Sequence, residues 1–125
     1  MEIKTGYFGK MKKYVELGYT TVGIVLFKPK WYTGENLKEY APSLSLFNDY
    51  KNGLISGEEF YTIYRKEVEK TGIHHFKEYI KKLESGGKDK IVLLCFEKQD
   101  DVCHRHELAD YISSELGIEV DELIV

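Results

Sequence analysis

Apolar residues along the chain keep switching between two periods. Glu2–Tyr7 and residues 20–27 show alternating or β-branched apolar positions and read as strands, the second bounded by Gly18 and Pro29. Residues 10–17 between them read as a helix ended by Gly18, which makes one βαβ unit. A short helix is expected around residues 43–50. Gly57–Thr71 carries the clearest helical signal: Phe60, Ile63, Tyr64 and Val68 share one face, Ser56 and Glu59 have capping-box spacing, and Gly72 stands where a C-terminal glycine belongs. Ile73, Phe76, Tyr79, Ile80 and Leu83 form a second stripe and predict a helix over residues 73–84, closed by Gly86 and Gly87.

Residues 90–96, Lys-Ile-Val-Leu-Leu-Cys-Phe, are a short, nearly continuous apolar run between turn signals. A central strand of a parallel sheet, buried on both faces, has that pattern. After a loop over residues 97–102, Leu108, Tyr111, Ile112 and Leu116 recur at helical spacing and predict a helix over residues 103–116. Gly117 ends it, and residues 118–124 read as a last strand. The expected architecture is a three-layer α/β domain, with a small, mostly parallel sheet of about four strands flanked by helices.

Composition narrows the class. A chain of 125 residues fits one domain, and with 42% hydrophobic and 31% charged residues it can bury a core without staples. No apolar run is long enough to cross a membrane, and the first residues lack a cationic start followed by an apolar stretch, so neither a membrane span nor ordinary secretion is expected. Two cysteines need no disulfide framework and suit a reducing cytoplasm. Charge is uneven: the net is +4 over residues 1–30, zero over residues 31–94 and −7 over residues 95–125. The basic first third falls short of a dedicated nucleic-acid footprint, and sequence-specific DNA binding is not expected.

Candidate chemistry gathers at the end of the third long strand, where parallel sheets usually bind their ligands. Cys95 and Glu97 lie two apart at that strand end, and Cys103, His104, Arg105 and His106 open the following helix. A thiol in a helix's first turn feels free N–H groups and the positive end of the dipole, so Cys103 is expected to be more acidic than Cys95. In an enzymatic reading Cys103 is a nucleophile or redox thiol, Glu97 or His104 moves the proton, and Arg105 clamps an anionic small molecule or nucleotide. A non-catalytic module that binds a phosphate-bearing or nucleic-acid ligand uses the same cluster. A metal site built from Cys95, Cys103 and His106 is a further alternative, although the spacing matches no common zinc pattern. A structural disulfide between Cys95 and Cys103 is not expected in the cytosol. A purely structural role also accounts for these residues, with Asp100 and Asp101 as helix caps.

Other candidates are secondary. His74 and His75 are adjacent, so their rings diverge, and they read as a solvated pair. Tyr7, Phe8, Lys10, Lys12, Lys13 and Tyr14, with Lys28, Lys30, Trp31 and Tyr32, interleave aromatics with cations as stacking surfaces do. Lys28 and Trp31 follow the second strand and should open on the same edge as Cys103, so Cys95, Glu97, Cys103 and Arg105 are expected to line one cleft beside residues 28–31. No Gly-rich phosphate loop, paired catalytic carboxylates or Ser-His-Asp order occurs, which excludes a nucleotide fold with a standard fingerprint, and no cofactor is expected. The number of subunits has no sequence signal.

Leu93-Leu94-Cys95-Phe96-Glu97 followed by Cys103-His104-Arg105 resembles the domain of unknown function 488 family, whose hallmark is a Leu-Leu-Cys-x-Glu strand and a later Cys-His-Arg. Ala41-Pro42-Ser43 and the helix around Tyr61 and Tyr64 resemble further segments of some members. The start departs from the family: Thr5-Gly6-Tyr7-Phe8 stands for its Thr-x-Gly-(Tyr/His)-Ser opening, and Phe27-Lys28-Pro29-Lys30 replaces an Asp-x-Arg after the second strand. The resemblance implies a small cytoplasmic α/β fold with a functional Cys/Glu/Cys/His/Arg cluster, and implies no reaction.

Overall fold

The computed structural model describes residues 1–97 and 101–125. Its elements run β1 (Glu2–Tyr7), a 3₁₀ turn (Phe8–Lys10), α1 (Met11–Glu16), β2 (Thr20–Gly23), β3 (Glu35–Asn36), a second 3₁₀ turn (Lys38–Tyr40), α2 (Leu44–Lys51), α3 (Gly57–Thr71), α4 (His74–Ser85), β4 (Lys90–Cys95), α5 (His104–Leu116) and β5 (Val120–Glu122). All pairings are parallel, and the five-stranded order is β3-β2-β4-β1-β5. The α/β class and the helix-flanked sheet are as expected. The strand count rises by one, because β3 is only two residues long and carries no periodic signal.

Sequence dictates the layering through β4. Ile91, Val92, Leu93, Leu94 and Cys95 are all inaccessible to solvent, so neither face of this strand is polar. Ile91 and Leu93 join Ile3 and Val22 beneath Phe60, Tyr64, Phe76, Leu108 and Ile112 of α3, α4 and α5. Val92 and Leu94 face the other way, against Phe8, Tyr14 and Tyr32. Each such aliphatic side chain contributes about 1.5–3 kcal/mol by leaving water. The strand therefore takes the middle of the sheet, between β1 and β2, the two strands of the sequence-predicted βαβ unit.

Local signals set the helix ends. Ser56 accepts from the Glu59 amide while the Glu59 carboxylate accepts from the Ser56 amide, a complete capping box at α3. The Ser43 hydroxyl caps α2 by accepting from the Leu46 amide. Gly117, with φ of 66°, closes α5 in the left-handed region. At the short edge, the Asn36 side chain accepts from the Val25 amide (3.0 Å) and donates to the Val25 carbonyl (2.8 Å), extending the ladder beyond β3 with an amide side chain.

A close approach at β1 gives a test of this packing. A Cβ placed on Gly6 would lie 2.6 Å from Cζ of the buried Tyr14 ring, so Gly6→Ala must displace that ring or the strand. The expected cost is about 1–3 kcal/mol, read as a lower urea midpoint with an unchanged slope.

Candidate functional site

The site forms where β4 ends and α5 begins. Parallel register brings Tyr7 opposite Cys95 and Thr5 opposite both Leu93 and Glu122. Cys103 occupies the N-cap of α5 in an extended conformation (φ −152°, ψ 139°), one residue earlier than a first-turn position. Its side chain makes no cap hydrogen bond; the Cys103 amide instead donates to the Tyr61 hydroxyl at 3.2 Å. Among the proposed capping acids, Asp101 is exposed and Asp100 lies outside the described residues.

Cys95 and Cys103 are joined as a disulfide, which the sequence reading did not expect. The sheet end and the helix cap converge, so two residues eight apart in sequence become neighbours in the core. Both are buried, and Arg105 and His104 surround them. Arg105 is fully buried: its Nε and Nη2 donate to the two carboxylate oxygens of Glu122, both at 3.0 Å, and its Nη1 donates to Cys95 Sγ at 3.1 Å and to the Glu97 carbonyl at 2.7 Å. Thr5 completes the shell by donating to Glu122 at 2.6 Å. The guanidinium expected to clamp an anion is thus consumed by the protein itself, and the cation stands beside Cys95 rather than Cys103.

His104 is buried with its Nε2 against the Ile24 carbonyl oxygen. A carbonyl only accepts, so Nε2 carries the proton and Nδ1 keeps its lone pair, 3.8 Å from Cys103 Sγ. Burial holds the imidazole neutral by lowering its pKa to about 4, and the nearby Arg105 and His106 add to that effect. The Tyr64 ring packs edge-on against His104 at 5.4 Å, and its hydroxyl donates to the Tyr40 carbonyl at 2.6 Å.

The metal grouping expected from sequence changes in one member. Among the described residues, the three donors that gather within 4.8 Å are Cys95, Cys103 and His104, all buried, in place of Cys95, Cys103 and His106. The reason is the cap geometry: with Cys103 extended and the helix starting at His104, Cys103 and His106 no longer stand one turn apart on a common face.

A cavity of about 870 Å³ adjoins this cluster. Residues 25–27 after β2, α2, the start of α3, and Phe96, Glu97, Asp101, Val102, Cys103 and His104 line it. The β2 exit and Cys103 therefore share one edge, as expected. The composition of the cleft differs: Cys95 and Arg105 sit behind its wall, Glu97 reaches it, and Phe27 takes the place foreseen for Lys28 and Trp31. Lys28 is exposed. Trp31, 59% exposed, packs edge-on against Phe8 at 6.0 Å, and Phe8 in turn touches Phe96 at 5.2 Å. Tyr7 stands under Arg105, whose guanidinium carbon is 5.9 Å from the ring centre. His74 and His75 are both exposed, as a solvated pair should be.

No local pattern marks Glu122, Thr5 or Tyr61 as site residues, or Phe47, Tyr50 and Phe60 as one aromatic wall. An acid inside a short strand is the one available hint for Glu122, and its partner Arg105 lies 17 residues earlier, on the preceding helix.

Two outcomes follow from this geometry. Arg105→Met strands a carboxylate that is only 16% exposed, so a loss of about 3–5 kcal/mol is expected in urea denaturation, with part of it recovered in Arg105→Met/Glu122→Gln. His104 titrates near 6.5 when unfolded and near 4 when folded, so the unfolded chain takes up the proton first as pH falls. With chelator present, stability should be complete above about pH 6.5 and decline by about 3 kcal/mol towards pH 4. His104→Gln should flatten that slope; an unchanged slope would assign it to other groups.

The match to known proteins bears on this region. A family model described as "Domain of unknown function DUF488" matches residues 32–112, a span that includes β3, β4 and both cysteines, His104 and Arg105. No curated protein and no solved structure matches the chain. With close to two thirds of its length covered by that model, including the whole cysteine cluster, the chain belongs to the DUF488 family.

Proposed function

We propose that Cys95 and Cys103 form a two-electron thiol–disulfide couple that acts on a small organic disulfide bound in the adjoining cavity. The observation that carries this reading is the bond between the two sulfurs at a place where one of them, Cys103, belongs to the cavity wall. Cys103 supplies the sulfur that meets the ligand. Cys95, behind it and beside the Arg105 guanidinium, supplies the second sulfur.

In this scheme the Cys103 thiolate forms a bond to one ligand sulfur and displaces the other as a thiolate, which takes the proton released from Cys103. His104 Nδ1 accepts that proton's hydrogen bond before transfer. The Cys95 thiolate then bonds to Cys103 and expels the remaining ligand half as a second thiolate. Two protein thiols are oxidised and one ligand disulfide is reduced to two thiols, so electrons and protons balance. The cavity holds the ligand's body by contact with Phe27, Phe47, Tyr50, Phe60 and Phe96. An anionic group on the ligand meets Lys51, which lines the cavity with its ammonium 5.5 Å from the Phe47 ring centre. This moves the anion-binding role from Arg105 to a lysine.

Oxidised glutathione, a small anionic disulfide, is a suitable probe. After its addition to fully reduced protein, maleimide labelling and intact mass should show both thiols lost with no lasting adduct. Cys95→Ser should trap a mixed disulfide at Cys103. Two thiols that stay labelled, or an adduct that builds up at Cys95 in Cys103→Ser at the wild-type rate, would overturn the reading.

A further inference from the structure

Three soft or borderline donors meet at one point of the site: Cys95 Sγ, Cys103 Sγ and the unprotonated Nδ1 of His104 all lie within 4.8 Å of one another. We propose that in the reduced protein these three atoms bind a borderline divalent cation of the zinc type, with the fourth coordination position turned to the cavity. Thiolate and imidazole donors suit zinc, and three protein ligands plus one open position is the arrangement of sites that admit an exogenous ligand.

Features outside the donor set support the assignment. His104 already donates its other ring N–H to the Ile24 carbonyl, which fixes the ring and leaves Nδ1 free, as the outer contacts of a metal-bound histidine do. Charge closes within the buried site: two thiolates neutralise the ion, His104 is neutral, and Arg105 is matched by Glu122. The Arg105 Nη1–H donates to Cys95 Sγ, a bond that a metal-bound thiolate also accepts. Cys103 and His104 line the cavity while Cys95 lies behind them, so the side of the ion left open faces the cavity.

The proposal goes beyond the exchange reading and does not rest on it. The same two sulfurs cannot be bonded to each other and to an ion, so the ion belongs to the dithiol state and the disulfide state excludes it.

Cobalt(II) is the probe. Reduced wild-type protein titrated anaerobically with Co²⁺ should develop thiolate-to-cobalt charge-transfer absorption and tetrahedral visible bands, saturating at one ion per chain and abolished by Zn²⁺. Oxidised protein should show neither. His104→Ala should weaken binding at least ~10-fold, whereas His106→Ala should leave it unchanged, with circular dichroism verifying the fold of each. Absence of the bands in reduced wild type, equal binding by oxidised protein, or a loss that follows His106 rather than His104 would each overturn the site. Cobalt binding by a protein whose thiols ignore oxidised glutathione would keep the ion site and remove the exchange reading, and the reverse pair of results would remove only the ion site.

Discussion

The site depends on one buried ion pair. Arg105 is wholly enclosed, and its fork is matched by both oxygens of Glu122, so a charge that would be intolerable alone is neutralised within hydrogen-bond distance. That pair connects the first turn of α5 to β5, and Thr5 ties the same carboxylate to β1. The remaining Arg105 N–H bonds reach the Cys95 sulfur and the Glu97 carbonyl at the end of β4. One guanidinium thus holds the start of a helix against three neighbouring strands, and the two cysteines are brought together by that constraint.

The constraint also explains how neutral and charged groups are divided around the sulfurs. Cys95 has the cation, whereas Cys103 has a neutral imidazole whose proton is committed to a backbone carbonyl. The two sulfurs are therefore chemically different despite their shared burial, and only one of them borders the cavity. Arg65 performs a comparable task farther along α5: it bridges α3 to Glu107 at 2.6 Å and Asp110 at 2.9 Å. Since it is partly exposed, that clip is screened by water and is worth less than the buried pair.

The cavity owes its character to elements that have little to do with the sheet. α2 and the start of α3 bring Phe47, Tyr50 and Phe60 to one wall, while Val25, Leu26 and Phe27 continue from β2 on the other. Aromatic packing links this wall to the surface through Phe96, Phe8 and Trp31. Glu97, Asp101, Cys103 and His104 border the same cavity from the other side, so apolar side chains and a sulfur are placed side by side by two different parts of the fold.

By itself, the sequence determined the elements whose information is local. The capping box of Ser56 and Glu59, the stripe of Phe60, Tyr64 and Val68, and the doubly buried run from Ile91 to Cys95 are each written within a dozen residues, and those elements stand where the pattern put them. The strand-end location of the cluster was legible for the same reason, since β4 and α5 are consecutive. The two-residue β3 left no period to detect, and half of its ladder function belongs to the Asn36 side chain. Only the tertiary structure decided which way Arg105 points, because Glu122 is 17 residues away and becomes its partner only after β5 aligns beside β1. It likewise exchanged His106 for His104 in the donor cluster, since Cys103 is extended at the cap and so leaves the helical face it was expected to share with His106, while the His104 ring is held against Ile24 and Tyr64.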